Sequence, residues 1–252
     1  MAVSPIIFLT GPTAVGKTDL AIWLVKEFGV GLISVDACQV YRGLDIGTAK
    51  PANSILSLYP HALINIREPS EVFSAGEFCR ESAQSIDNLL AKDKIPMLVG
   101  GSMFYFAALT KGLSEGVGGD SGIRVHIKEE GETVGWRILY EKLGKVNPKI
   151  ARGIHPNDRQ RIQRALEIYS DSKRTSRAGR QTTPRISVDA KIIRLGLALS
   201  DRSSLHRRIE RRVDDMLSSG FLMEVEGLLA GGVDPESPAL KSVGYRQVCQ
   251  YL

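Results

Sequence analysis

A chain of 252 residues that is 43% hydrophobic can bury a substantial core, and one large domain with a smaller insertion is the natural partition. No apolar run approaches a membrane span, and the N-terminus lacks a basic segment followed by an apolar stretch long enough for a signal peptide, so a cytoplasmic protein is expected. The net charge of +5 hides an asymmetry: residues 145–212 hold 18 Lys and Arg against 6 Asp and Glu, a net +12, while the remainder holds 15 against 22, a net −7, which is the footprint of a polyanion surface.

The apolar run Ile6 to Leu9 reads as a short buried strand. Behind it stands Gly11-Pro12-Thr13-Ala14-Val15-Gly16-Lys17-Thr18, which fits G-x-x-x-x-G-K-[ST] at every fixed position and leads into a helix-like Asp19 to Phe28. Such glycines let the backbone wrap an anion, so that successive N–H groups and the helix N-terminus point at phosphate oxygens. Lys17 adds a mobile charge, and Thr18 a hydroxyl for a magnesium ion. In the helix, Leu20, Leu24 and Phe28 share one face, with Ala21 and Val25 beside them.

Leu32 to Val35 is a second buried strand, and Asp36 stands at its carboxyl end, where open parallel sheets place their ligands. The polar, glycine-punctuated segment Asp36 to Pro51 is too rich in functional side chains for a passive connector and reads as a binding loop. His61 to Ile66 reads as a third strand. Ser74 and Glu77 form a capping box before the helical pattern Phe78 to Leu90. Ile95 to Val99 is a fourth strand, ending in Gly100-Gly101-Ser102 before a helix through Phe106 and Leu109. This alternation predicts an α/β fold: a P-loop NTPase-like parallel sheet covered by helices on both faces.

From about Gly112 the pattern changes. Gly116, Gly118, Gly119 and Gly122 mark a loop, and helical stretches run through Trp136 to Leu143 and Asp158 to Tyr169. An inserted helical domain over residues 113–186 follows, between a first core part at 1–112 and a core completion with C-terminal helices at 187–252; its Gly-rich and Ser/Thr/Pro-rich borders read as hinges. Ala190 to Leu199 restores a strand. The helix Ser203 to Ser219 stops at Gly220, and its stripe Leu205, Ile209, Val213, Met216 and Leu217 is expected to face the core, so Arg207, Arg208, Arg211 and Arg212 cannot all be buried. Cys38, Cys79 and Cys249 have no C-x-x-C spacing and read as small core residues; His61, His126, His155 and His206 are equally dispersed.

A phosphate loop by itself serves hydrolases, kinases and other transferases alike. The Asp36 to Pro51 loop suits a second substrate, and a carboxylate at a strand end near a phosphate site is a credible general base. The motifs Gly11 to Thr18, Asp-Ala-Cys-Gln-Val-Tyr-Arg-Gly-Leu-Asp-Ile-Gly-Thr-Ala-Lys-Pro over 36–51, Val99-Gly-Gly-Ser102, His155-Pro-Asn-Asp-Arg-Gln-Arg-Ile-Gln-Arg-Ala-Leu-Glu167 and Arg212-Val-Asp-Asp-Met216 together resemble the bacterial tRNA dimethylallyltransferase (tRNA isopentenyltransferase) family, in order from Ile6 to Leu252.

The resemblance implies transfer of a dimethylallyl group from its diphosphate to N6 of the adenosine 3′ of the anticodon, by a magnesium-dependent monomer. It implies diphosphate binding by Gly11 to Thr18, leaving-group stabilisation by Lys17, Arg212 and magnesium on Thr18, proton removal by Asp36, and orientation of the amine by Ser102, which stands where the family has threonine. The base should be flipped out of its stack to be reached. For tRNA the family pattern implies Asp36, Ala37, Cys38, Gln39 and Ser102, then Gln160, Arg161, Ile162, Gln163 and Arg164 inside the basic region, with Arg124 and Lys241, Ser242, Val243, Gly244, Tyr245 and Arg246 as further matches.

Three departures stand out. Ala37 replaces the family's serine beside the aspartate, residues 116–135 match loosely, and the chain stops at Tyr251-Leu252 where relatives continue with helices that grip the anticodon stem, as expected of a short copy. A small-molecule kinase of the phosphate-loop type, and an RNA-binding remnant without turnover, are the rival readings.

Overall fold

The structure is a computed structural model that describes residues 4–113, 121–174, 186 and 191–252. The chain divides into two compact units, one made of Met1–Gly112 with Thr183–Leu252 and the other of Leu113–Thr182.

The first unit holds one sheet of five strands, all parallel: β1 (Ile6–Thr10), β2 (Gly31–Val35), β3 (His61–Ala62), β4 (Pro96–Gly100) and β5 (Ile192–Gly196), in the order β3-β2-β4-β1-β5. Every residue of β2 and of β4 is buried, as expected for strands covered on both faces. Side chains alternate across the sheet. Leu9, Leu32, Met97 and Val99 meet Ala21, Leu20, Leu24 and Val25 of α1 (Lys17–Phe28) on one face. On the other, Phe8 packs against Phe106 of α4 (Met103–Lys111), their rings 4.9 Å apart. Phe28 does not join the α1 stripe: it is exposed and lies edge-to-face with Trp23, because the buried face turns through Ala21 and Val25 instead.

The third strand is shorter than the run His61 to Ile66 suggests. Only His61 and Ala62 pair with β2, because Leu63 and Asn65 adopt left-handed backbone that ends an extended ladder. The chain then swings to the binding loop, where Asn65 N–H donates to Gln39 O and Ile66 and Arg67 N–H to Val40 O. A short helix α2 (Asn53–Leu58) precedes β3. The helix α3 (Ala75–Leu90) starts at the expected capping box, with Ser74 Oγ accepting from Glu77 N–H at 3.2 Å and the Glu77 carboxylate accepting from Ser74 N–H at 2.7 Å.

In the second unit, α5 (Ser121–Val134), α6 (Trp136–Val146), α7 (Pro148–Ala151) and α8 (Arg159–Arg174) enclose a core of Ile127, Leu139, Leu143, Ala151, Ile162, Ala165 and Leu166. Here α5 corrects the loop expectation at Gly122, which is helical. Its Ile123 and Ile127, one turn apart, bury against the core, and tertiary packing overrides the weak helix preference of two glycines. Gly131 is needed there, since a Cβ would lie 2.7 Å from the Trp136 ring. Gly116, Gly118, Gly119 and the Ser/Thr/Pro-rich border ahead of Ile186 lie outside the described residues.

The first unit closes with α9 (Arg202–Ser218), α10 (Phe221–Ala230) and α11 (Tyr245–Tyr251). No residue of α9 is fully buried, and Val213 and Leu217 are each 47% exposed. The less exposed positions are Ser204, Leu205, Ile209, Arg212 and Met216, and the stripe from Leu205 to Met216 is rotated from the expected one to include the arginine. Arg207, Arg208 and Arg211 are exposed.

Candidate active site

Register assembles the site. Thr10 of β1 and Val35 of β2 both lie opposite Gly100 of β4, so the residues that follow, Gly11, Asp36 and Gly101, leave the sheet side by side at its carboxyl edge. Close passage there demands glycine: a Cβ on Gly100 would lie 2.0 Å from Val35 O, and one on Gly11 would lie 2.3 Å from Leu197 O. Ser102 N–H donates to Val35 O at 3.4 Å, tying the start of α4 to the residue before Asp36. The Ser102 hydroxyl makes no helix-capping bond, so capping does not account for it.

Gly16 is the left-handed N-cap of α1 and Ala14 also has a positive φ, which curls the loop above the helix end. The first N–H groups of any helix lack intrahelical partners, so this end presents donors and positive potential. Pro12, Thr13 and Thr18 are exposed at the loop's rim, Gly11, Ala14, Gly16 and Lys17 are half-buried, and Val15 is buried as the anchor. Lys17 Nζ donates to Gly11 O at 3.0 Å and Pro12 O at 2.6 Å, folding back along the loop.

Three charges share this edge. Burial, then the Arg212 guanidinium, lower the Lys17 pKa, while Asp36 raises it. Burial likewise lowers the Arg212 pKa against the opposing pull of Asp36. Two cations are thus crowded beside one carboxylate, an arrangement that gains when an anion arrives between them. Asp36 Oδ1 accepts from the N–H groups of Cys38 at 2.8 Å and Gln39 at 3.2 Å, which fixes the carboxylate's rotation; no hydrogen bond engages Oδ2 among the described residues.

The binding loop is stiffer than its polar sequence suggests. Lys50, 2% exposed at its side chain, donates to Tyr41 O at 2.7 Å, Asp45 Oδ1 at 2.5 Å and Asn65 Oδ1 at 2.6 Å. Gln39 Nε2 and Arg212 Nη2 both donate to Thr48 O at 3.3 Å. The Glu224 carboxylate of α10 accepts from the N–H groups of Asp45, Ile46 and Gly47 and from the Tyr245 hydroxyl. Nothing in the sequence singles out Glu224. Its backbone partners lie 177 to 179 residues earlier and the Tyr245 hydroxyl 21 residues later, and no local pattern marks a glutamate in a first helical turn as a loop clamp.

Of the expected RNA contacts, Ala37 is exposed and Cys38 half-buried; burial and the Asp36 charge push the Cys38 thiol up to about 11 against a hydrogen bond with Ser242. Lys241, Val243 and Arg246 are exposed, Gly244 is half-buried, and Tyr245 is fully buried, so its ring packs edge-to-face on Phe221 rather than facing solvent. In the helical unit, Gln160 and Arg161 are exposed, and Gln163 donates to Arg124 O at 3.0 Å. Ile162 is fully buried, so its side chain serves the core. Arg124 and Arg164 both hold the buried carboxylate of Glu167, each at 3.0 Å.

A glycine-rich turn between an inner strand of an all-parallel sheet and a helix, with a carboxylate on a nearby strand end, defines a P-loop NTPase-like α/β protein. The model of the IPP transferase family matches residues 39–252. The chain therefore belongs to the IPP transferase family.

Among solved structures, it is similar to the full-length tRNA isopentenylpyrophosphate transferase of Bacillus halodurans, with 33% identity over 98% of this chain and 77% of that one and a TM-score of 0.67. It is similar to the tRNA delta(2)-isopentenylpyrophosphate transferase of Staphylococcus epidermidis, with 31% identity over 98% and 80% and a TM-score of 0.64. A eukaryotic dimethylallyltransferase acting on tRNA gives a TM-score of 0.75 at 26% identity, over 98% of this chain and 63% of that one.

Proposed function

We propose that this chain transfers a dimethylallyl group from dimethylallyl diphosphate to N6 of the adenosine 3′ of the anticodon in tRNA. It is an IPP transferase by family, and tRNA is the substrate named for all three structural relatives. The observation that carries the reading is the carboxyl edge of the sheet, where Lys17 folds along the phosphate loop, Asp36 follows β2, and Arg212 shares the Thr48 carbonyl with Gln39 of the Asp36 turn: two cations for a departing diphosphate and one carboxylate for a proton.

In the reaction, the N6 lone pair forms a C–N bond to the terminal allylic carbon as the C–O bond to the diphosphate breaks. The electron pair leaves with the diphosphate, where Lys17, Arg212 and the N–H groups of Thr13 to Thr18 meet the growing charge. The N6 proton passes to Asp36, whose unengaged Oδ2 is the available acceptor. Thr18 fits a magnesium site, since it stands in the first turn of α1 without being buried, and magnesium usually takes one or two protein ligands beside phosphate oxygens. A bound ion there would add charge stabilisation of the leaving group.

Around the base, Ser102 would orient the amine, and Asp36, Ala37, Cys38 and Gln39 would contact the flipped adenosine and its neighbours. Gln160, Arg161 and Arg124, with the basic stretch around them, would contact the anticodon stem-loop. Among the described residues no helix is long and apolar enough to cross a membrane. A small-molecule kinase, which would consume a nucleoside triphosphate without tRNA, is not favoured by the family match.

Mass spectrometry of unmodified tRNA incubated with the chain, dimethylallyl diphosphate and magnesium tests the proposal. A prenylated adenosine beside the anticodon is expected. No product, in an assay where the Bacillus halodurans relative is active, would overturn it.

A further inference from the structure

Arg212 makes a single hydrogen bond among the described residues, from Nη2 to Thr48 O at 3.3 Å. Its aim therefore depends on where that carbonyl stands. Thr48 ends a compact turn that begins at Leu44, closed by its own buried hydroxyl donating to Leu44 O at 2.7 Å and by Ala49 N–H donating to Ile46 O at 2.9 Å. Along the same turn, Glu224 Oε2 accepts from Asp45 N–H at 3.0 Å and Ile46 N–H at 2.7 Å, and Oε1 accepts from Gly47 N–H at 3.2 Å and from the Tyr245 hydroxyl. Four donors converge on one carboxylate.

Steric fit reinforces the clamp. A Cβ on Gly47 would lie 2.2 Å from the Phe221 ring and 2.6 Å from the Tyr245 ring, so both aromatic residues press the turn against α10. The turn thus behaves as a stiff body, held by Glu224 through the N–H groups of 45–47 and presenting the next carbonyl, Thr48 O, to Arg212 and Gln39.

We propose that Glu224 is a positioning residue whose carboxylate, acting through the 44–48 turn, aims the Arg212 guanidinium at the diphosphate. The proposal rests on the reading of Arg212 as a diphosphate ligand. Glutamine at 224 is nearly isosteric yet has one acceptor oxygen, so its amide would face donors with a donor and leave two of the four without an acceptor.

The test is a double-mutant cycle on the affinity for inorganic diphosphate with magnesium, by calorimetry, using the full chain, Glu224→Gln, Arg212→Ala and the pair, alongside the tRNA transfer assay. Glu224→Gln should weaken diphosphate binding by about tenfold, the scale of one charge-assisted hydrogen bond, and should add nothing further in the Arg212→Ala background. Unchanged affinity, or losses that simply multiply, would overturn the proposal, since a general loosening of the fold acts independently of Arg212.

If circular dichroism shows that Glu224→Gln fails to fold, Tyr245→Phe removes one of the four donors with the ring retained, and the same cycle should then show a loss of about threefold that disappears without Arg212. An undiminished affinity in that variant also overturns the idea. A wild-type chain that shows the coupled diphosphate cycle yet prenylates no tRNA would sink the proposed reaction and leave the positioning role standing. A wild-type chain that binds no diphosphate would sink both.

Discussion

Asp36 carries two duties that removal of the carboxylate by alanine does not separate. Its Oδ1 holds the N–H groups of Cys38 and Gln39, while its Oδ2 is the proposed proton acceptor. Asparagine can keep the first duty and loses the second, so Asp36→Asn is the cleaner test of the base. Transfer should fall by about a hundredfold or more, the usual contribution of general-base catalysis, with tRNA affinity within about twofold of the parent. Single-turnover assays and filter binding measure the two, and unchanged turnover would remove Asp36 from the chemistry. Asp36→Ala should also loosen the 36–39 turn, so it should lose tRNA affinity as well.

At the scale of the element, the carboxyl edge of the sheet tolerates no side chain at Gly100. A Cβ there would sit 2.0 Å from the backbone of Val35, which cannot swing aside as a side chain could. Gly100→Ala should therefore destabilise the protein by about 1–3 kcal/mol in urea denaturation and lower transfer, because β2 and β4 must part at the point that sets Asp36 beside Ser102. A neutral effect would mean that the edge can open freely.

The helix α9, which carries Arg212, has its own pH dependence. Asp201 caps it, accepting from Ser204 N–H at 2.7 Å and the Ser203 hydroxyl at 2.6 Å, and these bonds lower its pKa to about 2. The folded-state pKa is depressed, so the cap's contribution is fully present above the unfolded aspartate value near 4 and is lost as pH falls toward about 2. Asp201→Ala should lower the unfolding temperature at neutral pH and flatten its fall across that acidic window; an identical acid profile would assign the loss to other carboxylates.

For the molecule as a whole, the basic stretch predicts a salt-dependent grip on RNA. Arg161 is exposed and, among the described residues, its guanidinium pairs with Asp158 at 3.4 Å, whereas Arg164 neutralises the buried Glu167. Arg161→Gln should weaken tRNA binding and reduce the slope of log affinity against log salt by about 0.7–0.9, without a change in stability. Arg164→Gln should do the same and also lower the melting temperature, since Glu167 keeps one partner fewer. An unaltered slope in both would put the RNA on another surface.

Much of this was legible in the chain itself. The phosphate loop, three of the five strands nearly to their ends, and the capping box at Ser74 all follow from contiguous residues, because backbone conformation, burial period and caps are local properties, whereas the run Ala190 to Leu199 pairs, among the described residues, only over Ile192–Gly196. Three features were decided only by the fold. The run His61 to Ile66 breaks after two residues because left-handed turns divert it to brace the binding loop, and nothing in its apolar pattern distinguishes that from a full strand. The less exposed stripe of α9 is rotated to include Arg212, because a charged group with a carbonyl and a carboxylate nearby outcompetes Val213 and Leu217 for the inner face. Glu224 organises a turn far behind it in sequence. Chemistry borne by neighbouring residues can be read from order alone, whereas the aim of Arg212 depends on contacts between distant segments, which only tertiary packing brings within hydrogen-bonding reach.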